Sequence, residues 1–305
     1  MNMQGIVSQL AVLFLLIAGG YLVGKVNLLT ADVTRHLSKI VLFITTPCTI
    51  LNSVINGNVG LTGGETVFFV LMSLLVFPVF FIIAIPAARV LGGEKKDHGL
   101  YSYMASFGNV TFMGFPVAAA IFGAASAYYV ALFNIPFMVL TFSVGIIMVS
   151  GKRGNIDPKI LITPSLIAAL LAIPLALTGF KAPAIIADAV RITSAMTTPG
   201  SMFVIGSTLS RVSFKNVFTK WRLYPIAVLK LAVIPLVIWF VFRLFVSDDM
   251  MLGVLVVLSG MPTAAMAAMF AIEYGADEKI ASSGVFLATL LSGLTIPLVV
   301  YFLLM

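Results

Sequence analysis

"GNVTFMGFPVAAAIFG" occupies residues 108–123. The stretch is apolar enough to lie in a membrane, yet it holds three glycines, a proline, an asparagine and a threonine within sixteen residues. A plain membrane helix has little use for Asn109 and Pro116 seven residues apart. A second stretch, "VLSGMPTAAMAAMFAIEYG" at 257–275, has the same grammar: Gly260 lies two residues before Pro262, as Gly114 does before Pro116. What these two interrupted segments mean depends on where each sits in the chain.

The 305 residues are 61% hydrophobic and only 10% charged, with a mean hydropathy of +1.14. Soluble domains carry about 25% charged residues, so a water-soluble domain is excluded. At roughly 20 residues per crossing plus short loops, there is room for about ten membrane helices. Apolar runs between polar punctuation predict an all-α polytopic membrane protein with spans at 5–24, 34–56, 65–88, 99–122, 125–149, 159–179, 184–209, 222–245, 250–273 and 280–304. No Lys or Arg precedes the first run, so it is read as a retained span and not as a signal peptide. Cys48, the one cysteine, lies in an apolar run and reads as a small buried residue. With one Cys and two His (His36 and His98, beside polar loops), no zinc cluster and no cofactor are expected.

The net charge of +7 is a topology signal. Lys25, Arg35, Lys39, Arg89, Lys95, Lys96, Lys152, Arg153, Lys159, Arg211, Lys215, Lys220, Arg222 and Lys279 fall on alternate loops starting after span 1. The opposite loops hold only Lys181, Arg191 and Arg243. The positive-inside bias then makes the first set cytoplasmic and puts both termini outside. Lipid is the expected partner, with no nucleic acid.

The longest polar linker, 151–158, separates a first repeat (1–150) from a second (159–305), five spans each. "ITTPCTIL" at 44–51 answers "MTTPGSMF" at 196–203, with Lys39 and Arg191 at the same offset. "NIPFMVL" at 134–140 answers "TIPLVVY" at 295–301. An odd number of spans per repeat inserts the second half upside down, which is the inverted repeat of secondary transporters. Spans 4 and 9 now correspond, and interrupted paired helices at the midplane form the substrate sites of such proteins.

Proline lacks an N–H and clashes with the preceding turn, so each of spans 4 and 9 is expected to stop at its proline and restart as a second half-helix. The restarted ends present backbone N–H groups with partial positive charge, and two such ends make an anion site without a fixed cation. The expected substrate-binding residues are Asn109, Thr111, Gly114, Pro116, Asn134, Ser259, Gly260, Pro262 and Thr263. Asn134 either faces the site or makes a structural hydrogen bond. Pro47 and Pro199 form a matched pair expected either to kink spans 2 and 7 beside the crossing or to contact the substrate there. Lys230, eight residues into span 8, is either buried and functional or snorkels to the surface. Glu65 and Glu273 lie at span ends, and Asp188 and Arg191 are spaced to pair on one helical face. The lack of a central carboxylate argues against a proton relay and for an anionic ligand. Intramembrane protease motifs are absent, so an enzyme is not expected; an anion channel is the rival, since half-helices also line pores.

Asn109-x4-Gly-Phe-Pro116-x6-Gly123 resembles the Asn…Gly-x-Pro…Gly signature of the auxin efflux carrier family. Residues 261–304 resemble that family's C-terminal block, and "SMFVIGSTL" at 201–209 resembles its Met-Phe-x-x-Gly element. The family includes plant PIN auxin exporters and bacterial carriers of malonate and malate. The resemblance implies the ten-helix fold of bile-acid/sodium symporters, with a scaffold of spans 1, 2, 6 and 7. A transport unit of spans 3–5 and 8–10 would move elevator-like, crossing at spans 4 and 9. It further implies that Asn109 contacts the substrate carboxylate, and that the protein is a homodimer joined through the scaffold. Thr263 stands where PIN proteins have Gln, and the central linker is short. Both departures point to a small-carboxylate permease of a bacterial inner membrane, malonate first, ahead of an aromatic auxin-like exporter. Coupling to protons or sodium stays open.

Overall fold

The computed structural model describes residues 3–56, 61–91, 93–151, 163–212 and 214–305. Apart from Gly151, the expected linker, with Lys152, Arg153 and Lys159, lies outside the described residues.

Helix occupies every predicted span. The helices that fill those spans are α1 (Met3–Lys25), α2 (Ala31–Ile55), α3 (Gly63–Leu91), α4a (His98–Ser106), α4b (Val110–Phe122), α5 (Ser126–Ser150), α6 (Pro164–Thr178), α7a (Ala184–Ala195), α7b (Thr197–Ser210), α8 (Leu223–Phe242), α9a (Asp249–Ser259), α9b (Met266–Tyr274) and α10 (Glu278–Leu304), with a short helix at Phe214–Thr219 between α7b and α8. Six of them, α1, α2, α3, α5, α8 and α10, are long and apolar enough to cross a membrane, and α4b, α6 and α9a are shorter apolar helices. The protein is therefore a multi-pass helical membrane protein. Large apolar side chains such as Leu15, Ile82, Phe240 and Phe302 remain exposed on its outer faces, as a lipid-facing surface requires.

Sequence chemistry sets many of the helix ends. Thr30, Asp248 and Asp277 cap α2, α9a and α10, each side chain accepting the N–H three residues on. Thr62 and Glu65 form a reciprocal capping box at the start of α3. Arg191 donates to Asp188 at 3.0 Å on an exposed face of α7a, the pairing their spacing predicts.

Prolines within helices do not break them where a wide turn precedes. Pro47, Pro116 and Pro235 each stand second in an α-helical run that directly follows a five-residue π-helical turn, at Val41–Thr45, Val110–Gly114 and Leu229–Val233. The i→i+5 bonds of such a turn give the pyrrolidine ring room and leave no regular bond for its missing N–H to break. Pro116 therefore lies inside a continuous α4b, which corrects the expectation that span 4 stops there. Pro47 likewise lies in an unbroken α2 and is half-buried. Pro199 is exposed in the first turn of α7b, just after the helix is interrupted at Met196. Cys48 is half-buried, not fully buried.

Packing pairs elements of the two halves. α1 runs along α7b, and the second part of α2 runs along α6 and α7a. Backbones of α1 and α7b meet at glycines: a methyl on Gly20 would sit 2.7 Å from the Phe203 Cα, and Gly206 lies against the Ile17 carbonyl. Small residues four apart, here Gly20 and Gly24, permit this approach in membrane helices. Elsewhere α3 packs on α4a and α5, while α8 packs on α9a and α10. An aromatic cluster centred on Phe77, with Phe80, Phe107, Phe133 and Phe137 around it, fills the space between α3, α5 and the end of α4a.

Candidate functional site

Segments 4 and 9 are interrupted, and they meet. After Ser106 the chain becomes extended at Phe107 (φ −102°, ψ 116°). It resumes helix at Val110 after Asn109 (φ −79°, ψ 63°). Between α9a and α9b, residues 260–265 are likewise non-helical. The two interruptions lie antiparallel and form a bridge between Gly108 and Thr263. The Asn109 N–H donates to the Pro262 carbonyl at 2.7 Å, and the Ala264 N–H donates to the Phe107 carbonyl at 3.0 Å. Backbone groups freed at membrane depth are tolerated only when buried in protein or lining a cavity; here two of the freed N–H groups and two of the freed carbonyls satisfy one another across the breaks.

Close approach needs small residues. A methyl on Gly108 would lie 3.0 Å from the Met261 carbonyl oxygen, and one on Gly114 would lie 2.9 Å from Leu258 Cδ2. Gly260 is less tightly held, its nearest neighbour being Pro235 Cγ at 3.3 Å. Phe107 is fully buried, stacked on Tyr103 at 4.9 Å between ring centres. It pins the extended piece to the aromatic cluster. Sequence reasoning missed Phe107; the glycine after it, in an otherwise apolar span, was the available signal.

The polar side chains sort into committed and free. Asn109 Oδ1 accepts from the Phe112 N–H at 3.3 Å, capping α4b. Its Nδ2 has no protein acceptor among the described residues. Thr111 Oγ1 donates to Asn134 Oδ1 at 3.2 Å, and Asn134 Nδ2 donates to the Val130 carbonyl at 2.9 Å. Asn134 thus ties α5 to the start of α4b, and both it and Thr111 are half-buried. Thr263 Oγ1 donates to the Met104 carbonyl and Ser259 Oγ to the Val256 carbonyl, so both hydroxyls are spent on structure. The first N–H groups of a helix have no intrahelical acceptor. At Thr111, Ala265 and Met266 none is found among the described residues.

Lys230 is wholly buried and reaches the crossing from α8. Its Nζ donates to the Ser259 carbonyl at 3.0 Å and the Ser106 carbonyl at 3.3 Å, and lies 4.8 Å from the centre of the Phe80 ring. Those carbonyls end α9a and α4a. Burying an ammonium costs on the order of several kcal/mol, which two helix C-termini and an aromatic face partly offset.

Asn109, Ser259, Thr263, Pro116, Pro262, Gly114 and Gly260 are all buried around this crossing. Pro199 stays on the surface, and α7b touches the Val110–Gly114 turn. A separate surface cleft of about 340 Å³ is lined by Glu94, Lys96, Asp97, Lys220, Arg222 and Asp277 among others. Its charges are of both signs: Lys96 pairs with Glu94 at 2.9 Å, and burial raises the Asp97 pKa above the usual carboxylate value. Such an exposed pair contributes little, and the cleft has no bias towards anions.

Comparison with known proteins finds membrane transporters. The family model described as "Membrane transport protein" matches residues 5–300. An uncharacterized transporter of Methanocaldococcus jannaschii is 28% identical over 300 residues, covering 94% of this chain and 95% of the relative. Another uncharacterized transporter, from Methanothermobacter thermautotrophicus, is 26% identical over 296 residues, covering 95% of this chain and 96% of the relative.

Proposed function

Since the chain belongs to the membrane transport protein family, that of the auxin efflux carriers, we propose that it carries a small organic anion across the membrane by alternating access. The observation that carries this reading is the bridge between Gly108 and Thr263. In this reading the N-terminal ends of α4b and α9b face one anion, and it is supported by the N–H groups of Thr111, Ala265 and Met266 and the Asn109 amide, which have no acceptor among the described residues. Anions bind such ends through partial positive charge and aligned donors. A carboxylate is the ligand class: two oxygens accept from several N–H donors at once. Malonate is the first candidate and malate the second.

In this reading each predicted span is one crossing, and the ten form two inverted repeats of five. The packing of α1 on α7b and of α2 on α6 supports a scaffold of spans 1, 2, 6 and 7. Spans 3–5 and 8–10 move as the transport unit, elevator-like. The basic loops lie in the cytoplasm, the membrane is the plasma membrane of a prokaryotic cell, and two copies join through the scaffold.

A thermal-shift screen of the purified protein against mono- and dicarboxylates tests the ligand class, since a ligand of the native state raises its apparent stability. Asn109→Ala should abolish the shift while the protein stays folded. Proteoliposome uptake of the best hit should saturate and show counterflow. Unsaturable conductance would mark a channel instead, and an Asn109→Ala protein that still binds the hit would remove Asn109 from the site.

A further inference from the structure

Away from the crossing, three connections meet around the cleft of about 340 Å³. Residues 93–97 join α3 to α4a, residues 220–222 lead into α8, and residues 275–277 join α9b to α10. The volume falls in the range of small-molecule sites, about 300–1,000 Å³. Buried Tyr101 and Ile280 supply apolar lining. Of the charges, Glu94 and Lys96 pair with each other at 2.9 Å. Asp277 Oδ1 accepts from the Ile280 N–H at 2.9 Å and so caps α10. Lys220, Arg222 and Asp97 remain, and none of them makes an ion pair among the described residues.

These three groups are positioned. The Arg222 guanidinium lies 5.1 Å from the centre of the Trp221 ring. It also lies against Gly93, where a methyl would come 3.1 Å from its Cζ. Gly93 has φ +80°, and its carbonyl accepts from His98 Nε2 at 3.2 Å, so that turn is fixed from both sides. Asp97 and Lys220 are half-buried. Burial raises the Asp97 carboxyl above its ordinary pKa and lowers the Lys220 ammonium below its own. Opposite charges that lose water without pairing leave room between them for a ligand that carries both signs.

Two cations suit a phosphate, whose oxygens accept from guanidinium and ammonium together. One carboxylate suits an ammonium, which only donates. The position of the cleft selects the source. It lies where helices end, and Trp221 (60% exposed) and Tyr224 (36% exposed) stand at the start of α8. Aromatic residues of this kind sit at headgroup depth, and basic pockets between membrane helices take lipid headgroups.

We propose that this cleft holds the headgroup of an aminophospholipid, with its phosphodiester on Lys220 and Arg222, its primary ammonium on Asp97, and its acyl chains leaving past Trp221. One such lipid would tie together the connections that precede α4a, α8 and α10. Neither the ligand of the crossing nor the mode of transport enters this assignment.

Isothermal titration of the full purified chain in detergent tests it, with dihexanoyl phosphatidylethanolamine, phosphatidylcholine and phosphatidylglycerol as probes. The parent should bind phosphatidylethanolamine saturably and about tenfold more tightly than the other two. Choline has no N–H to donate, and glycerol carries no charge. Asp97→Asn should bring phosphatidylethanolamine down to the level of phosphatidylglycerol, with phosphatidylglycerol bound no more weakly than before. Arg222→Gln should weaken all three by about tenfold. Melting curves check that both variants are folded; should Arg222→Gln melt early, Lys220→Gln takes its place, with the same loss expected. Equal affinity of the parent for phosphatidylethanolamine and phosphatidylglycerol would mark a plain basic patch and overturn the proposal. A preference that survives Asp97→Asn overturns it too, as does binding that never saturates. O-phosphoethanolamine that binds as tightly as the lipid would move the ligand into solution and overturn the lipid assignment.

Discussion

The interruptions in segments 4 and 9 meet at one bridge but are made from different ingredients. Segment 9 breaks around its proline: Pro262 lies inside the non-helical stretch, and its carbonyl accepts from Asn109. Segment 4 breaks at Phe107, Gly108 and Asn109, seven to nine residues ahead of Pro116, which a π-helical turn absorbs into α4b. What the two share is an exchange of two hydrogen bonds, not a proline. Their side chains differ in the same way. Asn109 keeps a free amide, whereas the Thr263 and Ser259 hydroxyls are bound to carbonyls of α4a and α9a. In the proposed reading, then, segment 4 offers the anion a side-chain donor, whereas segment 9 offers it only main-chain donors.

Asn109→Asp puts that division under the heaviest strain. The carboxylate keeps the acceptor that caps α4b, but it removes the amide donor and sets a negative charge beside an anion. Like charges brought together cost several kcal/mol, so carboxylate affinity should fall by roughly 100-fold or more, with the melting temperature near that of the parent. Thr263→Val is the counterpart in segment 9. It strips a buried hydroxyl from the Met104 carbonyl and should lower stability by about 1 kcal/mol, leaving affinity within about threefold. Titration calorimetry with the best hit of the carboxylate screen measures both. Equal loss of affinity in the two variants would erase the distinction.

The glycines of the two breaks should differ as well. Gly108→Ala forces a methyl against the Met261 carbonyl oxygen at 3.0 Å and Lys230 Cε at 3.3 Å. Overpacking of that kind costs about 1–3 kcal/mol, and it pushes on backbone of the bridge itself. Gly260→Ala meets only Pro235 Cγ at 3.3 Å, a ring edge that can yield, and should cost less. Melting temperatures of the two variants decide; a larger drop in Gly260→Ala would place the tighter approach in segment 9.

The helical stretches were legible because hydropathy at this density leaves few other folds, and the pairing of segments 4 and 9 was legible from the repeated Gly-x-Pro. The position of the first break was not. Proline is a strong local signal, and "FMGFP" reads as a stop, but a π-helical turn is made by neighbours and leaves no pattern in composition. Nor did the extended residues Phe107 and Gly108 announce themselves, since the partner strand that satisfies them is some 155 residues away. Lys230 could be flagged as an ionisable residue within a span, but only the folded chain brings Ser106 and Ser259 together beneath it. Asn134 was an open choice between ligand and structure, and Thr111 answers for at least one of its polar atoms.

Pro116→Ala, with the smallest expected effect, asks most directly what makes the first break. With the ring gone, residue 116 regains an N–H, and the turn at Val110–Gly114 can tighten towards regular α-helix around the Phe112 carbonyl. The bridge has no stake in that change, because its donors and acceptors lie at residues 107, 109, 262 and 264. Stability should stay within about 1 kcal/mol of the parent, since a lost proline and a gained helical bond act in opposite directions, and carboxylate affinity should change little. If Pro116 made the break, its removal would let helix run through residues 107–109 and pull Asn109 off Pro262. The loss would then match or exceed that of Gly108→Ala. A melting curve and one binding isotherm on Pro116→Ala separate a break imposed by proline from one held by two hydrogen bonds across the crossing.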